Sequence, residues 1–358
     1  MWKIEYRSYR LPFRSVVRTA HGSWDEREGF LIKVTGGTAE SGGSVVVGWG
    51  EAAPISWFGT ETLAQAGEAL AGLKGEARDL ADALARVPLE CGCVRAGLAA
   101  AWGGLRKSEG DDSGCATEGV KFLPVAGLLP AGRAVLAAVA GRLELGFRTF
   151  KWKVGVGDAA DELRILDDLL GELPAGAKLR LDANGAWDRR VAERWLAAAA
   201  ERPAIEYIEQ PIGPEARGAE DTLRGLAEDY PVAIALDESL AGARDVERWL
   251  AADWRGVWVL KPSLLGEPGP VLARLARAEA DVVFGSALET VVGARAGLAL
   301  AFAWEERRAK AAAERRALGY GVWPLFAEGC ANGPTSGPFV RREDWERIDA
   351  EALWNVLS

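Results

Sequence analysis

Polar and apolar positions alternate along the first fifty residues in three runs, Trp2 to Pro12, Gly29 to Val34 and Val45 to Gly50, separated by glycine-rich segments. A period of two over such runs predicts a three-stranded antiparallel meander. From Glu61 to Lys107 the spacing turns helical, with Leu63, Ala66, Leu70, Leu80, Leu84 and Leu89 as buried positions. The polar, glycine-containing stretch 108–119 reads as a linker that ends an α+β first domain. Beyond it a short apolar run, a loop and an amphipathic helix recur roughly every 24 to 29 residues, the runs beginning near Leu123, Thr149, Lys178, Ile205, Val232, Val257 and Asp281. Helical stretches between them include 161–173, 190–201, 243–252 and 270–278. Seven alternating βα units predict a parallel sheet, and that number suits a closed barrel better than an open sheet. The expected division is 1–118, 119–325, and a last segment, 326–358, that returns toward the first domain.

Composition narrows the class. Of the 358 residues, 49% are hydrophobic and 27% charged, close to the globular average, so neither disorder nor a fibrous repeat fits. Forty-three basic against 52 acidic residues give a net charge of -9, which argues against a nucleic-acid partner. No apolar run is long enough to span a membrane and the first residues lack the apolar stretch of a signal peptide, so a cytoplasmic protein is expected. The four cysteines include Cys91-Gly92-Cys93, too closely spaced for a zinc knuckle, and read as reduced thiols. The single histidine, His21, excludes a zinc site built on several histidines, and lies in the loop-like run 18–23. Ten lysines stand beside thirty-three arginines, so a lysine in a chosen place is informative.

In a parallel barrel the reacting groups come from the C-terminal ends of strands. The second predicted strand ends in Lys151-Trp152-Lys153, whose period of two turns both lysines into the barrel mouth. The third ends in Asp182-Ala183-Asn184-Gly185, the fourth in Glu209-Gln210-Pro211, the fifth in Asp237-Glu238-Ser239, the sixth in Lys261-Pro262, and the seventh in Gly285-Ser286-Ala287-Leu288-Glu289-Thr290. Each acid taken alone also suits a turn or a helix cap. Asp182, Glu209 and Asp237 nevertheless stand 27 and 28 residues apart, one per repeat, at the same height. Three carboxylates without histidine or thiolate make an oxygen-only site suited to Mg²⁺, with Mn²⁺ as a substitute. Flanked by a like charge and a dication, the lysines are expected to have lowered pKa values and to serve as general bases. A metal that holds a carboxylate and a lysine that takes the neighbouring proton describe proton abstraction α to a carboxylate, with the enediolate stabilised by the metal.

Lys-x-Lys, Asp-x-Asn, Glu-Gln-Pro, Asp-Glu-Ser and Lys-Pro, in this order and spacing, resemble the enolase superfamily in its muconate-lactonizing subgroup. The resemblance implies a modified TIM-type (β/α)7β barrel with an N-terminal α+β capping domain. It implies Asp182, Glu209 and Asp237 as metal ligands, Lys153 as the acid/base and Lys261 as the opposing cation, with Lys151 beside them. The capping loops that select substrate would be 18–24 and 56–61, which place Arg18 and Trp57 as substrate contacts. Gly48-Trp49-Gly50-Glu51-Ala52-Ala53-Pro54, Trp57-Phe58-Gly59 and Ser286-Ala287-Leu288-Glu289-Thr290 are similar to the o-succinylbenzoate synthase family, which dehydrates a cyclohexadiene carboxylate in menaquinone or phylloquinone synthesis. On that footing Asn184, Ser286 and Glu289 join the substrate-binding set. The partner implied is a small-molecule carboxylate, and a homo-oligomer is compatible with everything above.

Four other readings remain. An N-succinylamino acid racemase, or another epimerase or cycloisomerase of the superfamily, would use the same motifs. Gly155-Val156-Gly157-Asp158-Ala159-Ala160 matches a dinucleotide-binding loop on its surface, which would make the chain an NAD-dependent dehydrogenase, but six further βα units would then be unexplained. The barrel could also be an inert scaffold or binding protein, or carry a Schiff-base lysine with the acids merely pairing it.

Overall fold

In the computed structural model, which describes residues 1–19, 22–37, 45–108, 119–308, 315–334 and 337–357, the meander is built from Trp2–Thr19 (β1), Gly22–Gly36 (β2) and Val46–Ala52 (β3). A short fourth strand, Gly75–Ala77 (β4), pairs with the free edge of β1, giving the order β3-β2-β1-β4. Of the run 18–24, read from the sequence as a loop, the described residues instead continue the two strands: Val17 pairs with Trp24, Arg18 with Ser23 and Thr19 with Gly22. Residues 14–16 are exposed whichever way they point, so alternation has no buried face to record there. His21 lies outside the described residues.

The helical stretch is broken into Leu63–Leu73 (α1), Leu80–Ala85 (α2) and Gly92–Ser108 (α3). α1 opens on a capping box, in which the Gln65 amide donates to Thr62 Oγ1 and the Thr62 amide donates to Gln65 Oε1. Pro88 lies in the turn between α2 and α3, and Leu89 beside it is exposed rather than buried. α3 crosses the meander where β3 carries Gly48 and Gly50; a Cβ at either would collide with the carbonyl oxygens of Ala101 or Gly97. The linker proposed from composition falls mostly outside the described residues.

Seven parallel strands follow in sequential order: Gly127–Leu129 (β6), Thr149–Lys153 (β7), Lys178–Asp182 (β8), Ile205–Glu209 (β9), Ile234–Leu236 (β10), Val257–Leu260 (β11) and Asp281–Phe284 (β12). The run at Leu123 is a separate strand, Phe122–Pro124 (β5), paired antiparallel with Phe339–Arg341 (β13). Between the barrel strands lie Ala134–Glu144 (α4), Ala159–Glu172 (α5), Arg189–Ala200 (α6), Ala219–Asp229 (α7), Ala243–Ala251 (α8) and Pro268–Arg277 (α9), with Val291–Arg308 (α10) after β12. Leu318 and Gly319 close the ring between its two ends. The Ala126 amide donates to the Leu318 carbonyl at 2.9 Å, and the Gly319 amide to the Phe284 carbonyl at 2.8 Å. Outward-facing residues such as Phe150, Trp152, Leu179 and Leu181 pack under the helices, where Trp195 of α6 meets Trp152 edge-on and stacks on Trp187. Each such fully buried side chain contributes roughly 1.5 to 3 kcal/mol.

The end of the chain lies against the cap. The Arg14 amide donates to the Leu325 carbonyl and the Ala327 amide to the Pro12 carbonyl. After Arg342–Glu346 (α11) comes Ala350–Val356 (α12), at whose end Arg7 donates to the carbonyls of Trp354 and Leu357, both at 2.6 Å.

Candidate active site

Parallel register decides which strand ends meet. Lys153 stands opposite Asp182, and Asp182 opposite Glu209, so the ends of β7, β8 and β9 form one row. Lys151, two residues back on the same face of β7, reaches up into that row: its Nζ lies 2.8 Å from Asp182 and 2.6 Å from Glu209. Across the ring, Lys261, which follows β11, donates to Asp237, which follows β10. β7 and β11 are separated by three strands in the sheet order, so Lys153 and Lys261 face the row from different sides.

Burial and charge act on these groups in different directions. Burial tends to raise the Asp182 carboxyl, but the ammoniums of Lys151 and Lys153 outweigh it and hold Asp182 below the usual range. Glu209 is pushed up to about 8, first by burial and then by Asp182 and Asp237, with Lys151 only partly offsetting them. Glu238 also rises to about 8, through burial and the charges of Asp237 and Asp182. The lowering expected for the lysines reverses at Lys151. Burial favours its neutral form, yet Asp182, Glu209 and Asp237 together hold it protonated well above the usual lysine value.

The cluster thus has more carboxylates than its ammoniums satisfy. Asn184 Nδ2 donates to Glu238 Oε1 at 3.1 Å, while Glu238 Oε2 and Asn184 Oδ1 are buried without a hydrogen-bond partner. Orphaned oxygens beside mutually repelling carboxylates suit a hard divalent cation. Among the described residues no three acidic, histidine or cysteine side chains are drawn around one point as an ion would draw them. Lys151 and Lys261 hold the acids instead.

Residues passed over in the sequence hold this arrangement. Gln210, fully buried and at a φ of 36°, uses its whole side-chain amide. Its Oε1 accepts from the amides of Asp237 (2.9 Å) and Ser239 (3.1 Å), and its Nε2 donates to the Ile212 carbonyl and Ser239 Oγ, both at 2.8 Å. It therefore ties the Glu209 turn to the Asp237 turn, and its left-handed backbone is the kind of strain that functional sites retain. Just beyond Lys153, the amides of Gly155, Val156 and Gly157 donate to the buried Glu162 carboxylate at 2.8 to 3.1 Å. A loop whose amides already hold an internal carboxylate has none left for a pyrophosphate, which removes the dinucleotide reading. The Glu-Gln pair and a glutamate seven residues after a glycine turn were the available signals.

Of the remaining candidates, Ser286 and Glu289 serve their own loop. Glu289 is buried and accepts from Ser286 Oγ (2.9 Å) and the Ala287 amide (2.5 Å). Glu51 of β3 completes this corner from the cap, accepting from the amides of Thr290 and Gly293, both at 2.9 Å, and from Tyr9 Oη at 2.5 Å. A cap carboxylate thereby satisfies the first turn of a barrel helix. Trp57 is 41% exposed, edge-on to Trp24 and to Phe58. Arg18 lies on β1, and its side chain is outside the described structure.

Residues 134–330 match the enolase C-terminal domain-like family, and residues 1–101 match the MenC N-terminal domain. The chain belongs to the enolase superfamily. Within that superfamily it is similar to the o-succinylbenzoate synthase of Thermosynechococcus vestitus, 35% identical over 354 residues that cover 96% of this chain and 99% of the relative. It is also similar to the hydrophobic dipeptide epimerase of Roseobacter litoralis, 32% identical with 68% and 71% covered. The structure of the o-succinylbenzoate synthase from Thermosynechococcus elongatus BP-1, complexed with Mg in its active site, superposes with a TM-score of 0.78 at 32% identity, covering 99% of this chain and all of that one. The L-Ala-D/L-Glu epimerase of Bacillus subtilis, at TM-score 0.75, 20% identity and 95% coverage of each chain, shares the superfamily's fold. Among the described residues no helix is long and apolar enough to cross a membrane.

Proposed function

We propose that this chain is a lyase, an o-succinylbenzoate synthase that dehydrates 2-succinyl-6-hydroxy-2,4-cyclohexadiene-1-carboxylate in menaquinone or phylloquinone synthesis. One observation carries the reading: two lysines face a single carboxylate row from different strands, in a chain alignable almost end to end with an o-succinylbenzoate synthase. Asp182, Glu209 and Asp237 would hold Mg²⁺, or Mn²⁺ in its place, which when bound supplies a Lewis acid for the substrate carboxylate.

Lys153 is the base. It takes the proton α to the carboxylate, the electron pair moves into the enediolate, and the allylic C–O bond then breaks. The same ammonium returns its proton to the departing hydroxyl on that face, so water leaves and the ring becomes aromatic. Lys261 holds positive charge near the developing anion from the other side. Gln210 and Glu162 keep the turns that carry these groups in place. Asn184 and Trp57 are assigned to substrate together with Arg18, while Ser286 and Glu289 shape the loop above it. The molecule divides into a cap at 1–118, a catalytic barrel at 119–325 and a returning segment at 326–358. It works on a small carboxylate, without nucleic acid, in the cytoplasm.

The same two lysines would also serve a racemase of N-succinylamino acids, with each acting as base in turn. The test incubates metal-replete protein in D₂O with the cyclohexadiene hydroxy acid and, separately, with N-succinylamino acids. Fast formation of the aromatic product supports the synthase. Efficient racemisation with no dehydration would overturn it.

A further inference from the structure

The 3-10 turn Ser56–Phe58 is the part of the cap that reaches a catalytic lysine, and it is firmly held. Buried Arg27 donates to the carbonyls of Ala53 and Pro54 just before the turn. The Ile55 amide donates to Thr60 Oγ1 at 2.7 Å across it. Glu61, just after it, receives the amides of Cys93 and Val94 at the start of α3. Gly59, at a φ of 105°, leaves room only for a hydrogen where a Cβ would press on Ala241. The outcome is that Phe58 is buried and the centre of its ring lies 4.3 Å from Lys261 Nζ. Asp237 holds the same ammonium by a hydrogen bond.

An ammonium over a ring face is drawn to the ring's quadrupole, which an aliphatic side chain of equal bulk lacks. We propose that Phe58 is a positioning residue for dehydration: the ring and Asp237 together fix where the Lys261 cation stands relative to the developing enediolate. The effect on rate rests on the synthase reading above, whereas the contact itself does not. A single aromatic in the cap would then connect the substrate-selecting domain to the chemistry of the barrel.

The first measurement needs no substrate. In protein carrying ¹³C-labelled lysine, the ε-methylene of Lys261, assigned by its loss in Lys261→Ala, should lie upfield of the other nine lysines through the ring current, and return to the common position in Phe58→Leu. The second is kinetic. Phe58→Leu should lower kcat roughly 3- to 30-fold with KM changed less than about twofold, and Phe58→Tyr should stay within about threefold of wild type. Because Phe58 acts through Lys261, Phe58→Leu should have little further effect in a Lys261→Ala background. An ordinary Lys261 shift in the wild type, equal losses in the Leu and Tyr variants, or the full Phe58→Leu loss persisting without Lys261, would each overturn the proposal. An upfield Lys261 in a protein that dehydrates nothing would sink the synthase reading and leave the contact standing.

Discussion

Two glutamates three residues apart on β9 are both largely buried inside the same barrel, and their electrostatic fates are opposite. Glu206 lies near the N-terminal end of the strand, where Arg180 and Arg316 each reach it at 2.6 Å and Arg316 also holds Asp281 at 2.7 Å. Burial would raise its carboxyl, but the two guanidiniums bring it below the usual range. Glu209, at the mouth, rises to about 8 because burial and two further carboxylates outweigh one lysine. The floor balances two acids with two arginines, which cannot give up a proton at usable pH. The mouth gathers surplus acids and uses lysines, which can. Burial alone therefore does not mark a working site; an unbalanced cluster of proton-transferring groups does.

The difference between the two ends can be broken most completely by chelation. Removing divalent ions should abolish turnover, and Mg²⁺ or Mn²⁺ should restore it, while the unfolding temperature moves far less than activity. Full turnover in exhaustively chelated protein would mean that the surplus acids need no cation. Next in size, Lys153→Ala should lower kcat by about 10² to 10⁴, or roughly 3 to 5 kcal/mol of barrier, with the fold intact by circular dichroism. Lys153→Arg should rescue nothing. Near-wild-type kcat in Lys153→Ala would shift the base to Lys151.

The same kind of change at the floor should act on stability instead. Arg180→Met leaves Glu206 and Asp281 sharing one guanidinium, and should cost about 3 to 5 kcal/mol in denaturant unfolding, with kcat of the folded fraction unchanged. A comparable loss of kcat would show that the floor is not electrostatically separate from the mouth.

The smallest effect is a difference in the sign of pH dependence. Glu206, held below its ordinary value, favours the folded state at neutral pH, and that stabilisation is lost as pH falls through the carboxylate range. Glu289, above the mouth, is raised from 4.5 to about 7, first by burial and then by the Glu51 charge. The folded protein then holds a proton that the unfolded chain has released, so stability falls as pH rises between those two values. Glu206→Gln should thus be most damaging near pH 7 and progressively less so as pH falls through the carboxylate range. Glu289→Gln should gain on wild type by about 1 to 3 kcal/mol from pH 4 to pH 8. Parallel unfolding curves for wild type and both variants across that range would refute the assignment.

The positions of Asp182, Glu209, Asp237, Lys153 and Lys261 were legible without coordinates for a physical reason. Parallel strands repeating at a near-constant interval must place their last residues at one height, so a charge at the end of each repeat is a charge in the mouth. The meander was legible where one face is buried, and illegible beyond Pro12, where residues 14–16 are all exposed and break the alternation. The roles of Gln210 and Glu162 were harder to read than their presence, because a side-chain amide that spans two turns and a carboxylate that fills a ring of amides look like ordinary polar residues until the turns close around them. Nor did Phe58 differ from Trp57 beside it; only the fold buried one against an ammonium and left the other half-exposed.

The sequence by itself determined the order of the strands, the level at which the charges collect and the residue types available there, since the period of the repeats is a local property carried by spacing. The tertiary structure decided which charge meets which. The register slip where β9 passes β8, between Ile205 and Tyr207, and an arginine 110 residues further along, separate the behaviour of Glu206 from that of Glu209. A pKa sums burial and charge through space, and neither quantity is written in the neighbours along the chain.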